Sequence, residues 1–268
     1  PMSVDHYENL PVASLLLPRP LREPVAAIYA FARSADDFAD EGSLPAEDRL
    51  RRLSEYRQEI EAIEAGQPSR HPVFLRLRPV IARFRLPLGL FLDLLDAFAQ
   101  DVVKSRYESY DELADYCRRS ANPVGRLLLY LFEATTAENL HQSDSICTAL
   151  QLINHWQDVA VDWAKPRVYL PAEDMRRFGV GEEHLRTGNC DAAWKALLRY
   201  QVDRARRMML AGAPLGRRLP GRIGLEIRSI VAGGLRILDK IEAVDYDIFR
   251  RRPVLTALDS PRILWRAL

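Results

Sequence analysis

The sequence predicts an all-α fold, and three observations carry the prediction. Apolar residues recur at helical spacing along almost the whole chain. No run alternates convincingly between apolar and polar residues at period two. Prolines and glycines gather between the periodic stretches, where they end helices rather than interrupt them.

The first helical element is read at Val25, Ile28, Tyr29, Ala32 and Ala35, which keep the i, i+3, i+4 rule up to an acidic cluster. Pro45, followed by Glu47 and Asp48, marks a helix start, because a proline fits an early helical position and acids suit the first turn. Leu88, Phe91, Leu92, Leu95 and Phe98 line another helix, and Leu127, Leu128, Leu131 and Phe132 the next. Ile146, Leu150, Ile153 and Val161 read as one continuous helix. Leu197, Leu198, Val202, Ala205 and Met209 line a further one, and Ile223, Ile227, Ile230, Leu235, Leu238 and Ile241 the last long one. Breakers fall at 18–20, 42–45, 66–72, 166, 179–181, 212–221 and 253. Residues 166–189 carry mixed signals and read as loops with short helices. Neither a linker nor an internal repeat is visible, so one helical domain over residues 1–268 is expected.

Bulk composition narrows the function. The 268 residues are 48% apolar, enough for a substantial core. A formal net charge of +1 gives no reason to expect nucleic acid as a partner. Only Lys104, Lys165, Lys195 and Lys240 are lysines, and the remaining basic residues are Arg. Arg suits bidentate recognition of phosphate, although a coding bias produces the same excess. Cys117, Cys147 and Cys190 are scattered and odd in number, which points to neither zinc nor a disulfide framework. A reducing cytoplasm fits. No stretch of about 18 apolar residues exists to span a membrane, and residues 2–9 are acidic and polar, unlike a secretion signal.

Two carboxylate clusters carry the chemistry. The first reads Arg33-Ser34-Ala35-Asp36-Asp37-Phe38-Ala39-Asp40-Glu41. On a helix Asp36 and Asp40 share a face. The second runs from Asn154 to Asp162, with Asn154, Asp158 and Asp162 recurring at i, i+4 and i+8. Like charges one turn apart weaken a helix by a few tenths of a kcal/mol. A solvated face explains either cluster alone. Together, set among Tyr29, Phe31, Phe38, Leu152, Ile153 and Trp156, they point to a site for Mg²⁺. That ion accepts a few hard oxygen ligands and keeps positions for water and substrate phosphate.

The pair DDxxD (Asp36–Asp40) and NxxxDxxxD (Asn154–Asp162) resembles the squalene/phytoene synthase family. The similarity extends to Gln151-Leu152-Ile153-Asn154, Arg167-Val168-Tyr169-Leu170-Pro171, Arg106-Tyr107, Tyr116-Cys117-Arg118 and Pro123-Val124-Gly125, and so spans nearly the whole chain. It implies a single-domain helical bundle of the class I isoprenoid (prenyl) synthase type with a central apolar cavity. It also implies a prenyl diphosphate substrate and a magnesium cluster of two or three ions. Within the family the chain is most similar to the hydroxysqualene-forming branch of hopanoid biosynthesis. The carrying stretches are 8–14, 119–125 and 233–238, the last leading to Tyr246 and to Arg250-Arg251-Arg252-Pro253. That branch takes presqualene diphosphate and water to hydroxysqualene and diphosphate.

Two departures from the wider family bear on the reaction. Relatives carry a basic His/Lys-Ser-Phe segment near the N-terminus, whereas here Asn9-Leu10-Pro11-Val12-Ala13-Ser14 has no Lys or His. One diphosphate site rather than two is therefore expected. Asn122 enters a place that is apolar in relatives, and either positions the attacking water or caps the helix that begins near Pro123.

The resemblance assigns Asp36, Asp37, Asp40, Glu41, Asn154, Asp158 and Asp162 to the metal, with Asp36, Asp40, Asp158, Asp162 and Asn122 as the catalytic set. Arg33 is either a phosphate clamp or an intrahelical partner of Asp37. Lys165, Arg167 and Tyr169 come after the second motif and are candidates to close over the diphosphate, and Tyr246 with Arg251 is a further pair. Phe31, Phe38, Tyr130 and Trp156 are either cavity aromatics that shelter a cation or plain core. A hydration needs no NADPH. Alternatives are a condensing squalene, presqualene or phytoene synthase, and a non-catalytic scaffold relative. An insoluble C30 product is compatible with peripheral contact at the inner membrane or with partner enzymes of the same pathway.

Overall fold

The computed structural model of the chain describes residues 17–40 and 44–267, the side chains of Asp40 and Leu264 excepted. The expectations placed on residues 2–14 and on Glu41 lie outside the described residues. Among those described there is no strand, only an isolated parallel bridge between Arg106 and Val168. The helices are α1 Arg19–Asp40, α2 Ala46–Glu64, α3 Pro72–Phe84, α4 Leu88–Val103, α5 Tyr110–Ser120, α6 Asn122–Leu131, α7 Ala137–Gln157, α8 Val159–Ala164, α9 Ala172–Arg177, α10 Glu182–Thr187, α11 Ala192–Gly212, α12 Leu215–Arg218, α13 Gly221–Ala243 and α14 Ser260–Ala267. A 3₁₀ turn, Ala257–Asp259, leads into α14. Contacts group the chain into two compact units. One holds residues up to Lys104 with Arg119–Leu140, the other Ser105–Arg118 with His141–Leu268.

The first unit is built on α1, which packs against α2, α3 and α4. Val25, Ile28, Ala32 and Ala35 are all at most 1% exposed, so the periodic face read from the sequence is the buried face. Phe31 packs its edge against Phe91 and Phe74, with ring centroids 5.2 and 5.8 Å apart, and stacks on Tyr56. Edge-to-face pairs of this kind add about 0.5–1.5 kcal/mol beyond burial. α2 begins directly after Pro45 with Glu47 and Asp48 in its first turn, as the sequence predicts. Proline cannot extend a helix backwards, and acids there complement the positive end of the helix dipole.

The second unit is organised around α13, which packs on α11, α12 and α14. Two glycines allow close approach. A Cβ at Gly212 would lie 2.6 Å from the Gln142 carbonyl oxygen, and one at Gly224 would collide with the Leu219 and Gly216 carbonyls. Residues 166–189 fold as loops around the short helices α9 and α10, as read from their mixed signals.

A buried acid ties the C-terminal segment to α13. Asp259 is 3% exposed. It accepts hydrogen bonds from Lys240 Nζ, from Arg236 Nε at 2.7 Å and from the Thr256 amide at 2.8 Å. The Lys240 ammonium first, then the Arg236 guanidinium and the Thr256 amide, hold its carboxyl far below the usual carboxylate range. A depressed folded-state value means that stability from this group is fully present above the unfolded value, near 4, and is lost as pH falls through the folded one. Asp259→Asn is therefore expected to melt at lower temperature than the wild type at pH 7. The difference should shrink steadily below about pH 4. A difference that stays constant from pH 7 to pH 2 in thermal melts would remove this account.

Candidate functional site

The second acidic motif straddles a break in the helix. α7 ends at Gln157 and α8 begins at Val159, so Asp158 lies between them, with φ −108° and ψ 13°. This corrects the straight helix expected from the spacing. The hydrogen-bond ladder nonetheless runs through: the Asp158 amide donates to the Asn154 carbonyl at 2.9 Å, and the Asp162 amide to the Asp158 carbonyl at 2.8 Å. The break falls where a buried carboxylate is pinned. Asp158 is 4% exposed, and its Oδ1 accepts from Arg252 Nε at 2.5 Å. An ionised carboxylate out of water costs several kcal/mol unless a positive partner meets it, and Arg252 is that partner. Asp162 is likewise buried, while Asn154 is half-buried.

The segment after the motif is held by the residues before α5. The Asp162 carbonyl accepts the amides of both Lys165 and Arg167 at 2.9 Å, which ends α8 and turns the chain. Arg106 then donates to the Pro166 carbonyl at 2.6 Å, pairs with Glu182 at 2.5 Å and lies over the Trp163 ring. The Val168 amide bonds to Ser105, and the Ala172 amide to Tyr107. Lys165 is exposed and Arg167 half-buried.

This clamp seats Tyr169 in an aromatic stack that sequence reasoning missed. The Tyr169 ring lies 3.8 Å from His155 at 13°, and 5.7 Å from Tyr107 at 24°. Tyr116 completes the group beside Tyr107, His155 and Tyr169. All four are buried. The available signal was position: His155 lies inside the second motif, next to Asn154. Trp156, one residue on, is fully buried with an indole N–H that meets no acceptor among the described residues. Behind the clamp, Tyr110 lies 3.9 Å from the Arg204 guanidinium, and burial pushes its phenol up.

The C-terminal candidates divide. Tyr246 is buried in the left-handed region at φ 62°. Its carbonyl accepts the Trp194 indole at 3.1 Å, and its hydroxyl accepts from Arg199 Nε at 3.3 Å. Arg251 is exposed. The neighbouring Arg252, not singled out from sequence, is the one that reaches the motif.

In the first unit, Asp36, Asp37 and Asp40 crowd the C-terminal end of α1, which contains no basic residue in its last turn. Acids at the negative end of a helix dipole are disfavoured by roughly 0.3–1 kcal/mol each. Asp36 and Asp37 are half-buried, and Arg33 pairs with Asp37 at 3.1 Å, the intrahelical alternative. Arg49 donates to the Ala39 carbonyl at 2.7 Å and so caps the helix end. Phe31 belongs to the core of this unit. Phe38 lies under the Arg52 guanidinium and edge-on to Tyr56, and Tyr130 packs half-buried on the same core. Asn122 is 7% exposed and is the first residue of α6. The capping position is Ala121, with no side-chain cap, so Asn122 is not the N-cap.

The donor set of both motifs is all oxygen, which fits magnesium. Among the described residues no three His, Cys, Asp or Glu side chains come together as a ready metal site.

Known proteins share this framework. A family model described as squalene/phytoene synthase matches residues 4–259. The hydroxysqualene synthase of Rhodopseudomonas palustris is 36% identical over 241 residues, covering 89% of this chain and 80% of that one. The phytoene synthase of Arthrospira platensis is 32% identical, covering 94% and 85%. The crystal structure of squalene synthase HpnC from Alicyclobacillus acidocaldarius superposes with a TM-score of 0.83 at 36% identity, covering 90% of each chain.

Removing the partner of Asp158 has a calculable effect. Arg252→Gln leaves a buried carboxylate without its counter-ion, and the Arg252 side chain is 34% exposed. The expected loss is about 1–3 kcal/mol, below the full value for a sealed pair. Urea denaturation measures it. The loss should largely vanish when Asp158→Asn is already present; additive losses would show the pair to be uncoupled.

Proposed function

The chain belongs to the squalene/phytoene synthase family, and on that premise we propose that it converts presqualene diphosphate and water into hydroxysqualene and diphosphate, with magnesium. The observation that carries the diphosphate chemistry is the buried pair Asp158 and Asp162 in an otherwise apolar helical frame. The identity shared with the Rhodopseudomonas hydroxysqualene synthase supports the choice of reaction. So does the lack of Lys and His in Asn9–Ser14, which argues for one diphosphate rather than two.

Asp36, Asp37, Asp40 and Glu41 from one motif, and Asn154, Asp158 and Asp162 from the other, are the proposed magnesium ligands. Bound magnesium supplies Lewis acidity that neutralises charge on the departing diphosphate. Lys165, Arg167 and Tyr169 are the proposed diphosphate contacts after the second motif. The turn at Asp162 and the Arg106 clamp hold that segment in place. Arg33, Tyr246 and Arg251 remain proposed contacts of the same kind.

In the proposed reaction the carbon–oxygen bond to diphosphate breaks, and the electron pair leaves with diphosphate. The cyclopropylcarbinyl cation left behind gains from aromatic faces. Water oxygen then adds to the rearranged cation and gives up a proton, which diphosphate or solvent accepts. Asn122 is proposed to orient that water, being a buried amide that does not serve as a helix cap.

A second reading, condensation of two prenyl diphosphates, is favoured by the 32% identity to a phytoene synthase. Product analysis separates the two. Incubation with presqualene diphosphate and Mg²⁺, without NADPH, should yield hydroxysqualene and diphosphate, and farnesyl diphosphate alone should yield nothing. Turnover of farnesyl diphosphate to a C30 or presqualene product would decide for condensation. Asp36→Ala and Asp158→Ala should each cut diphosphate release by about a thousandfold or more, roughly 4 kcal/mol in the barrier, with helical circular dichroism retained. Near-wild-type release from either variant would sink the metal assignment. Asn122→Ala should lower the share of hydroxysqualene among the products; an unchanged product ratio would remove Asn122 from the reaction.

A further inference from the structure

We propose that the segment 250–267, with the adjoining end of α11, is a docking surface for an anionic lipid bilayer. The first observation is exposure of large apolar side chains on one stretch of chain. Leu258 is 90% exposed and Trp265 79%, with Val254, Leu255 and Leu210 between 40% and 52%. Helical spacing explains the pattern. Asp259, Ile263 and Ala267 recur one turn apart and turn inward, which leaves Leu258, Arg262 and Trp265 on the outward side.

The second observation is charge. Between Arg250 and Ala267 the sequence has Arg250, Arg251, Arg252, Arg262 and Arg266 against one acid, Asp259. That acid is buried and already neutralised by Arg236 and Lys240. Arg250, Arg252 and Arg266 pair with Asp247, Asp158 and Asp239, and Arg251 and Arg262 are the exposed cations that flank the apolar centre. Tryptophan favours the bilayer interface, arginine stems lie along apolar surface with their heads among phosphates, and anionic lipid adds about 1 kcal/mol per basic residue.

The third observation is a cavity of about 450 Å³ beside α14. Leu210, Val231 and Leu235 line it with Arg217, Arg228 and Arg266. Arg228 Nε is buried there with no acceptor among the described residues. An apolar slot edged by three guanidiniums suits a lipid phosphate with the start of its acyl chains. Arg266 belongs to both the slot and the helix, so the two features form one surface.

An isolated helix of eight residues is too short to hold together in water. Here it is preformed. Asp259 ties its start to α13, and Arg266 pairs with Asp239 at 3.1 Å. Docking therefore carries no folding cost. Among the described residues no helix is long and apolar enough to cross a membrane, so the contact is interfacial.

Sedimentation with vesicles tests this on the full chain. Vesicles of phosphatidylcholine with phosphatidylglycerol should bind it at low salt and release it at high salt, and pure phosphatidylcholine should bind much less. Leu258→Ser with Trp265→Ser should weaken binding at least tenfold. Arg262→Glu, a single exposed change that cannot disturb the core, should weaken it severalfold. Brominated lipid should quench wild-type tryptophan fluorescence and quench Trp265→Ser far less. Failure to bind anionic vesicles, or equal binding by Arg262→Glu and wild type, overturns the proposal. Self-association that Leu258→Ser and Trp265→Ser abolish, with vesicles ignored, overturns it in favour of protein contact.

Discussion

Taking carboxylates out of water is the constraint around which the second unit is arranged. Asp158, Asp174 and Asp259 are each at most 4% exposed, and each meets a cation. Asp158 has Arg252, Asp174 has Arg204, and Asp259 has Arg236 with Lys240. Such pairs add little net stability over a well-packed apolar core, but breaking one leaves an uncompensated charge. They therefore act as fixed points. Two of them hold the same stretch of chain, with Arg252 fastened to the second motif and Asp259 fastened to α13.

The same constraint explains why the site is built from helices that are otherwise apolar. The aromatic stack of His155, Tyr169, Tyr107 and Tyr116 closes one side of the second motif, and Trp156 is sealed beside it. In the first unit α1 buries Val25, Ile28 and Ala32 and carries its acids to its own C-terminal end. In both motifs the described oxygen-bearing residues sit on helices or, at Asp158, at the junction between two.

The helices were legible because burial of one face imposes a period, and α1, α4, α11 and α13 lie where that period predicted them. The break at Asp158 was not legible. The i, i+4 spacing survives it in the hydrogen bonds, so sequence cannot distinguish an unbroken helix from an interrupted one there. The start of α6 was misplaced by one residue for a similar reason, since both Ala121 and Asn122 can precede a proline turn. The two acidic motifs were readable from spacing and type. Arg252 and the partners of Tyr169 were not, because their roles come from contacts across long sequence separations. Arg251 and Arg252 are chemically identical on paper, and only the fold decides which one turns inward.

The Arg252–Asp158 pair closes a loop of 94 residues. On a ribosome, Asp158 emerges long before its counter-ion. Until Arg252 is added, the nascent chain holds a carboxylate that cannot be buried without penalty. The second motif is thus finished by a residue 94 positions further along the chain. Burial of the second motif is thereby coupled to synthesis of the segment that carries Arg252.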